Sequence, residues 1–466
     1  MDKKFRTEKD SLGTYPVPEG AWYGIQTARA VANFPISGRH ADPDFIVAHV
    51  RVKRAAAVAN RDAGWLDAKL ADAIVRGCDE ILGGKHHDQF VVDRFQAGAG
   101  TSHNMNTNEV VANLANYYLG GKRGEYKPVH PNDHVNMGQS TNDTIPTAIR
   151  LATLAKLPRL LDALHAMAAE FEMLGEREAK TVKSARTHLQ DAVPTTLGRE
   201  FLAYAWTLQR CAAALRFTAP QLCKIGLGGS AAGTGLNTAP GYTARVAEEL
   251  ARLAHEPIHP AENLAAQMQS MHDLQQLSNA IRATALELTR ISNDLRLLAS
   301  GPRTGFAEIE LPAVQPGSSI MPGKVNPVMC EMLNQVCYQV LGQDHAVAMM
   351  AQAGQLELNI TMPALGSALF DAMDWLTNAV RAVTDKGLKG LTADRNRCRD
   401  YAHASIGLAT LLNTAIGYAA AAEVAKEAVR SGRPLRELVA EKGFMRAEEF
   451  DRLVERAAID GYTPPH

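Results

Sequence analysis

The chain has 466 residues, 46% of them hydrophobic and 21% charged, enough to bury a large core divided among two or three domains. Lys plus Arg total 49 against 50 Asp plus Glu, so a net charge of -1 provides no overall field to recruit nucleic acid or an anionic membrane. The six cysteines, Cys78, Cys211, Cys223, Cys330, Cys337 and Cys398, form no Cys-x-x-Cys pair, which argues against a zinc site or a disulfide framework and for reduced thiols. A charged start (Met1-Asp2-Lys3-Lys4), no run of membrane-spanning length and a mean hydropathy of -0.17 make a soluble, cytoplasmic protein the expectation.

Residues 1 to about 45 hold turn residues (Gly13, Pro16, Pro18, Gly20, Pro35, Gly38) without helical period and read as an extended, partly looped entry. Apolar residues at three and four spacing then predict helices over 45–64 and 66–82, broken at Gly64 and Gly83-Gly84. Next comes Gln96-Ala97-Gly98-Ala99-Gly100-Thr101-Ser102-His103-Asn104-Met105-Asn106-Thr107-Asn108-Glu109. A Gly-rich approach to a helix start presents free N–H groups to an anion; it also reads as an ordinary capped helix. A second cluster, Asn136-Met137-Gly138-Gln139-Ser140-Thr141-Asn142-Asp143, has the same two readings, a cap or a set of donors for a carboxylate.

Long Ala/Leu-rich helical patterns follow over 144–180, with a kink expected at Pro158, and over 195–223, 242–255, 261–299, 326–353 and 365–388. Helices of this length predict an all-α, mainly helical bundle, and nothing alternates like a substantial sheet. Ser184-Ala185-Arg186-Thr187-His188-Leu189-Gln190-Asp191-Ala192-Val193-Pro194 is a third polar insertion, at a helix break. A lone histidine such as His188 is more often structural than catalytic. The Gly-rich stretch 226–237 lacks the ending of a phosphate-binding loop and a preceding strand, so it reads as a tight helix connector. The tail from about Leu391, broken at Ser431-Gly432-Arg433-Pro434, looks like a small separate domain. A fourth insertion, Pro316-Gly317-Ser318-Ser319-Ile320-Met321-Pro322-Gly323-Lys324-Val325-Asn326-Pro327, combines turn residues with hydroxyls, an ammonium and a carboxamide.

A bundle can bring such helix-end insertions together. Their pooled inventory is hydroxyls and amides, one Lys and one His, with no metal-ligand spacing, cysteine nucleophile or nucleotide loop. That set suits a small, doubly anionic substrate. Proton abstraction beside a carboxylate charges that carboxylate's oxygens, and preorganised donors that bind the dianion more tightly than the ground state lower the barrier. This is lyase chemistry.

The stretch Gly317 to Pro327 resembles the signature of the fumarase/aspartase superfamily, and the other three insertions match as well, with Val17-Pro18, Tyr23-Gly24 and Ser405-Ile406-Gly407 along the flanks. The wording of Gly100 to Glu109, Gln139 to Asp143 and Gly354-Gln355-Leu356-Glu357-Leu358-Asn359 is similar to the aspartase branch more than to class II fumarases, whereas Thr187-His188 is the fumarase form. The resemblance implies a three-domain fold (1–141, 142–392 and 393–466) with a central long-helix bundle, assembled as a homotetramer whose sites are shared between subunits. It implies reversible deamination of L-aspartate to fumarate and ammonia, with hydration of fumarate, a lyase acting on a modified aspartate, or a non-catalytic structural role as alternatives.

Carried over by residue, the resemblance makes Ser318 the base. Thr101, Ser140, Thr141 and Ser319 would hold the β-carboxylate and its aci-carboxylate intermediate. Thr187, Lys324 and Asn326 would hold the α-carboxylate. Asn142 and His188, with Thr101 and Thr141, would surround the amine, and Glu331 would pair with His188. No cofactor or resident metal is implied, although some aspartases are activated by divalent cations. Three features depart from the pattern: His103, the histidines His86 and His87, and Met362 in place of a common Glu. For each the plainer reading is structural.

Overall fold

The computed structural model describes residues 4–461. The extended entry is an antiparallel hairpin, β1 (Phe5–Asp10) with β2 (Gly13–Pro18), followed by α1 (Ile25–Asn33). Asp42 caps α2 (Pro43–Asp62) by accepting from the Asp44 N–H, and Asp67 caps α3 (Ala68–Leu82). The first polar cluster opens α4 (Thr101–Tyr118), and the second opens α5 (Thr141–Arg177). The helix does not end at its prolines: α5 runs for 37 residues through Pro146 and Pro158.

The third insertion, read from the sequence as a break between two long helices, has a regular structure of its own. It forms an antiparallel hairpin, β3 (Val182–Thr187) with β4 (Gln190–Thr196), closed by a two-residue turn in which His188 and Leu189 take φ of 55° and 58°. Left-handed φ at both central residues matches the twist of the flanking strands. After it come α6 (Leu197–Leu222), β5 (Lys224–Ile225), α7 (Tyr242–Ala254) and β6 (His259–Pro260), with β5 and β6 in a short parallel pair.

The pattern over 261–299 predicts one helix, but the chain forms α8 (Leu264–Gln269) and α9 (His272–Leu298). The break has a buried cause. The fully buried Arg150 guanidinium donates to both oxygens of Asp273 (2.6 and 2.9 Å) and to the Ser270 carbonyl, so the backbone turns at Ser270 to present these acceptors. The remaining elements are β7 (Ile309–Glu310), α10 (Val328–Gln352), α11 (Met362–Val383), β8 (Thr392–Ala393), α12 (Arg395–Ala404), α13 (Leu408–Ile416), α14 (Tyr418–Ser431), α15 (Leu435–Glu441) and α16 (Ala447–Asp460). Among the described residues the strands make only two-stranded sheets, so the architecture is mainly α.

The chain divides into two compact units. One comprises 1–161, 213–283 and 339–376; the other comprises 162–212, 284–338 and 377–466. The first unit has a core of Ile46, Val50, Ile74, Ile81, Val110 and Leu114, contributed by α2, α3 and α4. Its helices are further tied by Lys156, which pairs with Asp42, Asp44 and Asp374, and by a Ser278–Asp344 bond. In the second unit Ser292 donates to the Cys330 carbonyl, Asn334 to Asn293 and Tyr204 to Asp294, while Leu412, Val424, Leu438, Phe450 and Val454 form the core of the last helices. All six cysteines are free, and no helix among the described residues is long and apolar enough to cross a membrane.

Candidate active site

In the first unit, two helix starts are fastened together. Gly100 takes a φ of 89° before α4, and a Cβ there would meet Ile145 Cγ1 at 2.9 Å, so only glycine lets the chain enter the helix so close to α5. Asn104 Nδ2 then donates to Thr141 Oγ1 and to Asn136 Oδ1, both at 3.2 Å. This joins the first turn of α4 to the first residue of α5 and brings two positive helix ends into one neighbourhood, an arrangement suited to an anion. Thr101 is exposed on this rim, and Ser140, Thr141 and Asn142 are half-buried.

Two buried charges hold the arrangement. Lys53 on α2, fully buried, donates to Asn104 Oδ1 (2.6 Å), Asn136 Oδ1 (2.9 Å) and Gln139 Oε1 (3.0 Å). Burial pushes its pKa down to about 7, yet three N–H donors meeting three carbonyl oxygens is the bonding of an ammonium. Asp143 is the mirror case. Its carboxyl is driven up to about 7 by burial, while the Ser140, Gly228 and Ser230 N–H groups donate to it and favour the carboxylate. Asn142 Nδ2 donates to the Ala231 carbonyl at 2.9 Å. The Gly-rich connector is thus part of the frame that positions the second cluster.

Sequence reasoning passed over Lys53. The available signal was a lysine at a helical position whose neighbours Val50, Val52, Ala56 and Ala57 belong to the core.

In the second unit, the hairpin tip presents Thr187 and His188, both exposed. Its base is clamped by the fully buried Glu308, which accepts from Lys183 Nζ at 2.9 Å and Arg186 Nη1 at 2.9 Å. The Arg186 guanidinium also lies 4.2 Å from the centroid of the Phe306 ring. Glu308 was another residue the sequence did not single out.

The 316–327 stretch closes on itself. The Gly317 N–H donates to the Lys324 carbonyl (3.0 Å), and Asn326 Nδ2 donates to the Gly317 carbonyl (2.6 Å). A Cβ on Gly317 would lie 2.2 Å from the Lys324 oxygen, so glycine is required by contact. Within this closure Ser318 Oγ accepts the Ile320 N–H at 3.2 Å and the Met321 N–H at 3.0 Å. Donors aimed at a hydroxyl oxygen stabilise it most when it bears charge. Ser319 and Lys324 are exposed, and the Lys324 ammonium has no ion-pair partner among the described residues. Glu331 lies in the first turn of α10, and within this chain no hydrogen bond or ion pair joins it to His188.

The three departures are structural in their surroundings. His103, 1% exposed, stacks on Phe45 with centroids 4.6 Å apart and lies 5.1 Å from the equally buried His49. Burial, with Lys53 nearby, pushes the His103 pKa down to about 3. His87 Nε2 bonds the Ile81 carbonyl, and His86 pairs with Glu80. Met362 is fully buried at the start of α11.

A lyase family model matches residues 13–342, and a fumarase C C-terminus model matches residues 408–458. An aspartate ammonia-lyase of Bacillus sp is 44% identical over 97% of both chains. The chain belongs to the fumarase/aspartase superfamily. Another superfamily member, an aspartate ammonia-lyase of Pseudomonas fluorescens, is 48% identical over 95% of this chain and 93% of that one. Among solved structures, a fumarate lyase:delta crystallin from Brucella melitensis bound to cobalt superposes with a TM-score of 0.96 at 44% identity, covering 99% of this chain and 100% of that one. A class II fumarase from Schistosoma mansoni superposes with a TM-score of 0.93 at 36% identity, over 98% and 100%. The superfamily fold is therefore retained along nearly the whole chain.

Proposed function

We propose that this chain is an aspartate ammonia-lyase, a carbon–nitrogen lyase that converts L-aspartate reversibly to fumarate and ammonia in the cytoplasm. The observation that carries the reading is Ser318, whose Oγ receives two backbone N–H groups inside a loop closed by Gly317, Lys324 and Asn326. A free serine hydroxyl is a poor base near neutrality, and those two donors together with the Lys324 charge lower the cost of its alkoxide.

The alkoxide removes a proton from the β-carbon. The C–H electrons move onto the β-carboxylate, which becomes a dianion held by Thr101, Ser140, Thr141 and Ser319. They then return to form the carbon–carbon double bond as the C–N bond breaks, and nitrogen leaves as ammonia on the opposite face. Thr187, Lys324 and Asn326 hold the α-carboxylate throughout. Asn142 and His188 face the amine, with Glu331 as the carboxylate partner of His188. The helix ends joined by Asn104 and Thr141 supply further positive potential where the dianion develops.

The working assembly is a homotetramer with sites shared between subunits, acting on a small dicarboxylate and on neither nucleic acid nor membrane. Large apolar side chains left exposed on the long helices support it: Leu202, Trp206 and Phe217 on α6, and Tyr338 on α10. Leu189 at the hairpin tip and Ile320 in the loop, 65% and 83% exposed, flank polar site residues and are suited to burial against a neighbouring subunit. No cofactor is required by this chemistry.

The test offers the purified protein L-aspartate, malate and N-substituted aspartates separately and follows fumarate by its ultraviolet absorbance. Fumarate from L-aspartate is expected. Fumarate from malate but not from aspartate would make the protein a fumarate hydratase, and none from any substrate would point to a structural role.

A further inference from the structure

A cation-lined cavity of about 390 Å³ lies within the second unit, and none of the residues assigned to catalysis above lines it. Arg177 at the end of α5, Lys180 and Thr181 from the turn that follows, Arg395 and Arg399 from α12, and Glu455 from α16 shape its walls. Beneath them Glu178, whose side chain is 2% exposed, accepts from Arg177 Nε at 2.9 Å, Arg395 Nε at 3.0 Å and Thr181 Oγ1 at 2.6 Å. Burial raises the Glu178 pKa, but the bonds from Arg395, Thr181 and Arg177 bring it below its ordinary value, so the carboxylate persists as an anchor.

The anchor fixes two guanidinium groups without using all their N–H donors. Arg177 spends one further donor on the Leu391 carbonyl. Lys180 and Arg399 have no carboxylate partner among the described residues; Arg399 bonds only Asn396. His403 on the wall lies 3.5 Å from Asp451, which Arg436 also engages. Four permanent cations therefore face two carboxylates, Glu178 and Glu455, leaving two positive charges uncompensated around a concave, water-sized-to-metabolite-sized space. A structural ion network would be expected to neutralise itself. An excess of preoriented forks with spare donors is what recognition of phosphate or carboxylate groups requires.

We propose that this cavity binds a small polyanion carrying phosphate or carboxylate groups, at a site separate from the catalytic residues. Its position gives binding a route to consequence. Thr181 and Val182 form its edge, Val182 begins β3, and β3 ends about 16 Å further on at Thr187, beside His188.

Binding does not depend on the activity proposed above and is measured without turnover. The full-length protein is titrated calorimetrically with inorganic pyrophosphate and, separately, with citrate, and compared with Lys180→Ala/Arg399→Ala and with Lys324→Ala. These exposed positions carry no core contacts, and circular dichroism checks that each variant folds. Expected is saturable binding that weakens about tenfold or more in Lys180→Ala/Arg399→Ala, the loss of one or two charge-assisted hydrogen bonds, and persists in Lys324→Ala. Bound anion is also expected to slow amide hydrogen exchange in segments 177–182 and 395–403. Tighter binding of pyrophosphate would assign a phosphate-bearing ligand, and tighter binding of citrate a carboxylic acid. No binding, equal binding by the Lys180→Ala/Arg399→Ala variant, or loss only in Lys324→Ala would overturn the proposal.

Discussion

The helix-start cradle and the Ser318 loop carry equally polar sequences, yet they are held in opposite ways. Asn104, Asn136 and Gln139 are fixed from behind by the buried ammonium of Lys53, Thr141 by Asn104, and Ser140 by the buried carboxylate of Asp143. The Ser318 loop is fixed by its own backbone, through Gly317, Lys324 and Asn326, and most of its residues are exposed. A cradle for a fixed carboxylate gains from rigidity, because its donors must be aimed before charge develops. A loop that delivers a base gains from opening and closing at low cost, so it is drawn from the weakly packed part of the molecule.

Substitutions in the two regions should therefore separate activity from stability. Ser318→Ala is expected to lower turnover of L-aspartate by about 100- to 10,000-fold, the range for losing a positioned general base, with an unchanged melting temperature. Full activity in that variant would remove Ser318 from the role of base. Lys53→Met should show the reverse emphasis: it leaves buried amide oxygens without a donor and should cost about 2–4 kcal/mol of stability, read by urea denaturation. An unaltered denaturation midpoint would mean that the cradle is not held from behind. Gly317→Ala sets a Cβ against the Lys324 carbonyl, with an approach of 2.2 Å to be relieved only by reshaping the loop. A misplaced base of this kind should cost roughly 100-fold in turnover with little change in melting.

The smallest effect concerns pH. The folded core holds His103 near a pKa of 3 through burial and the proximity of Lys53, and it depresses buried His49 in the same direction. Between pH 6.5 and about 3 the unfolded chain takes up protons that the folded core refuses, so this contribution is complete above 6.5 and is lost as pH falls. His103→Val should flatten that acid decline in melting temperature while leaving the neutral-pH value within a few degrees. An unchanged acid slope would assign the decline to other groups.

Much of the architecture was legible because long apolar periodicity and Gly/Pro punctuation are local properties. A helix after each of the first two clusters followed from small and polar residues ahead of apolar runs, although α4 and α5 begin at Thr101 and Thr141, inside the clusters themselves. The site residues were legible for another reason: hydroxyl- and amide-rich insertions stand out against Ala/Leu helices. The helix break at Ser270 was not legible, since its cause is Arg150, 120 residues away in sequence. Nor was the hairpin at 182–196, whose strands are clamped through Lys183 and Arg186 to Glu308.

By itself, then, the sequence determined the helical class, the four polar insertions and the chemical character of the groups in them, since each depends on residues close together in the chain. Only the tertiary structure decided that Lys53 and Asp143 underlie two of those insertions, that His103 belongs to the core, and that Ser318 Oγ receives two N–H groups. Buried charges are tolerated only where distant donors and acceptors converge on them, and which groups converge is a property of the packed chain.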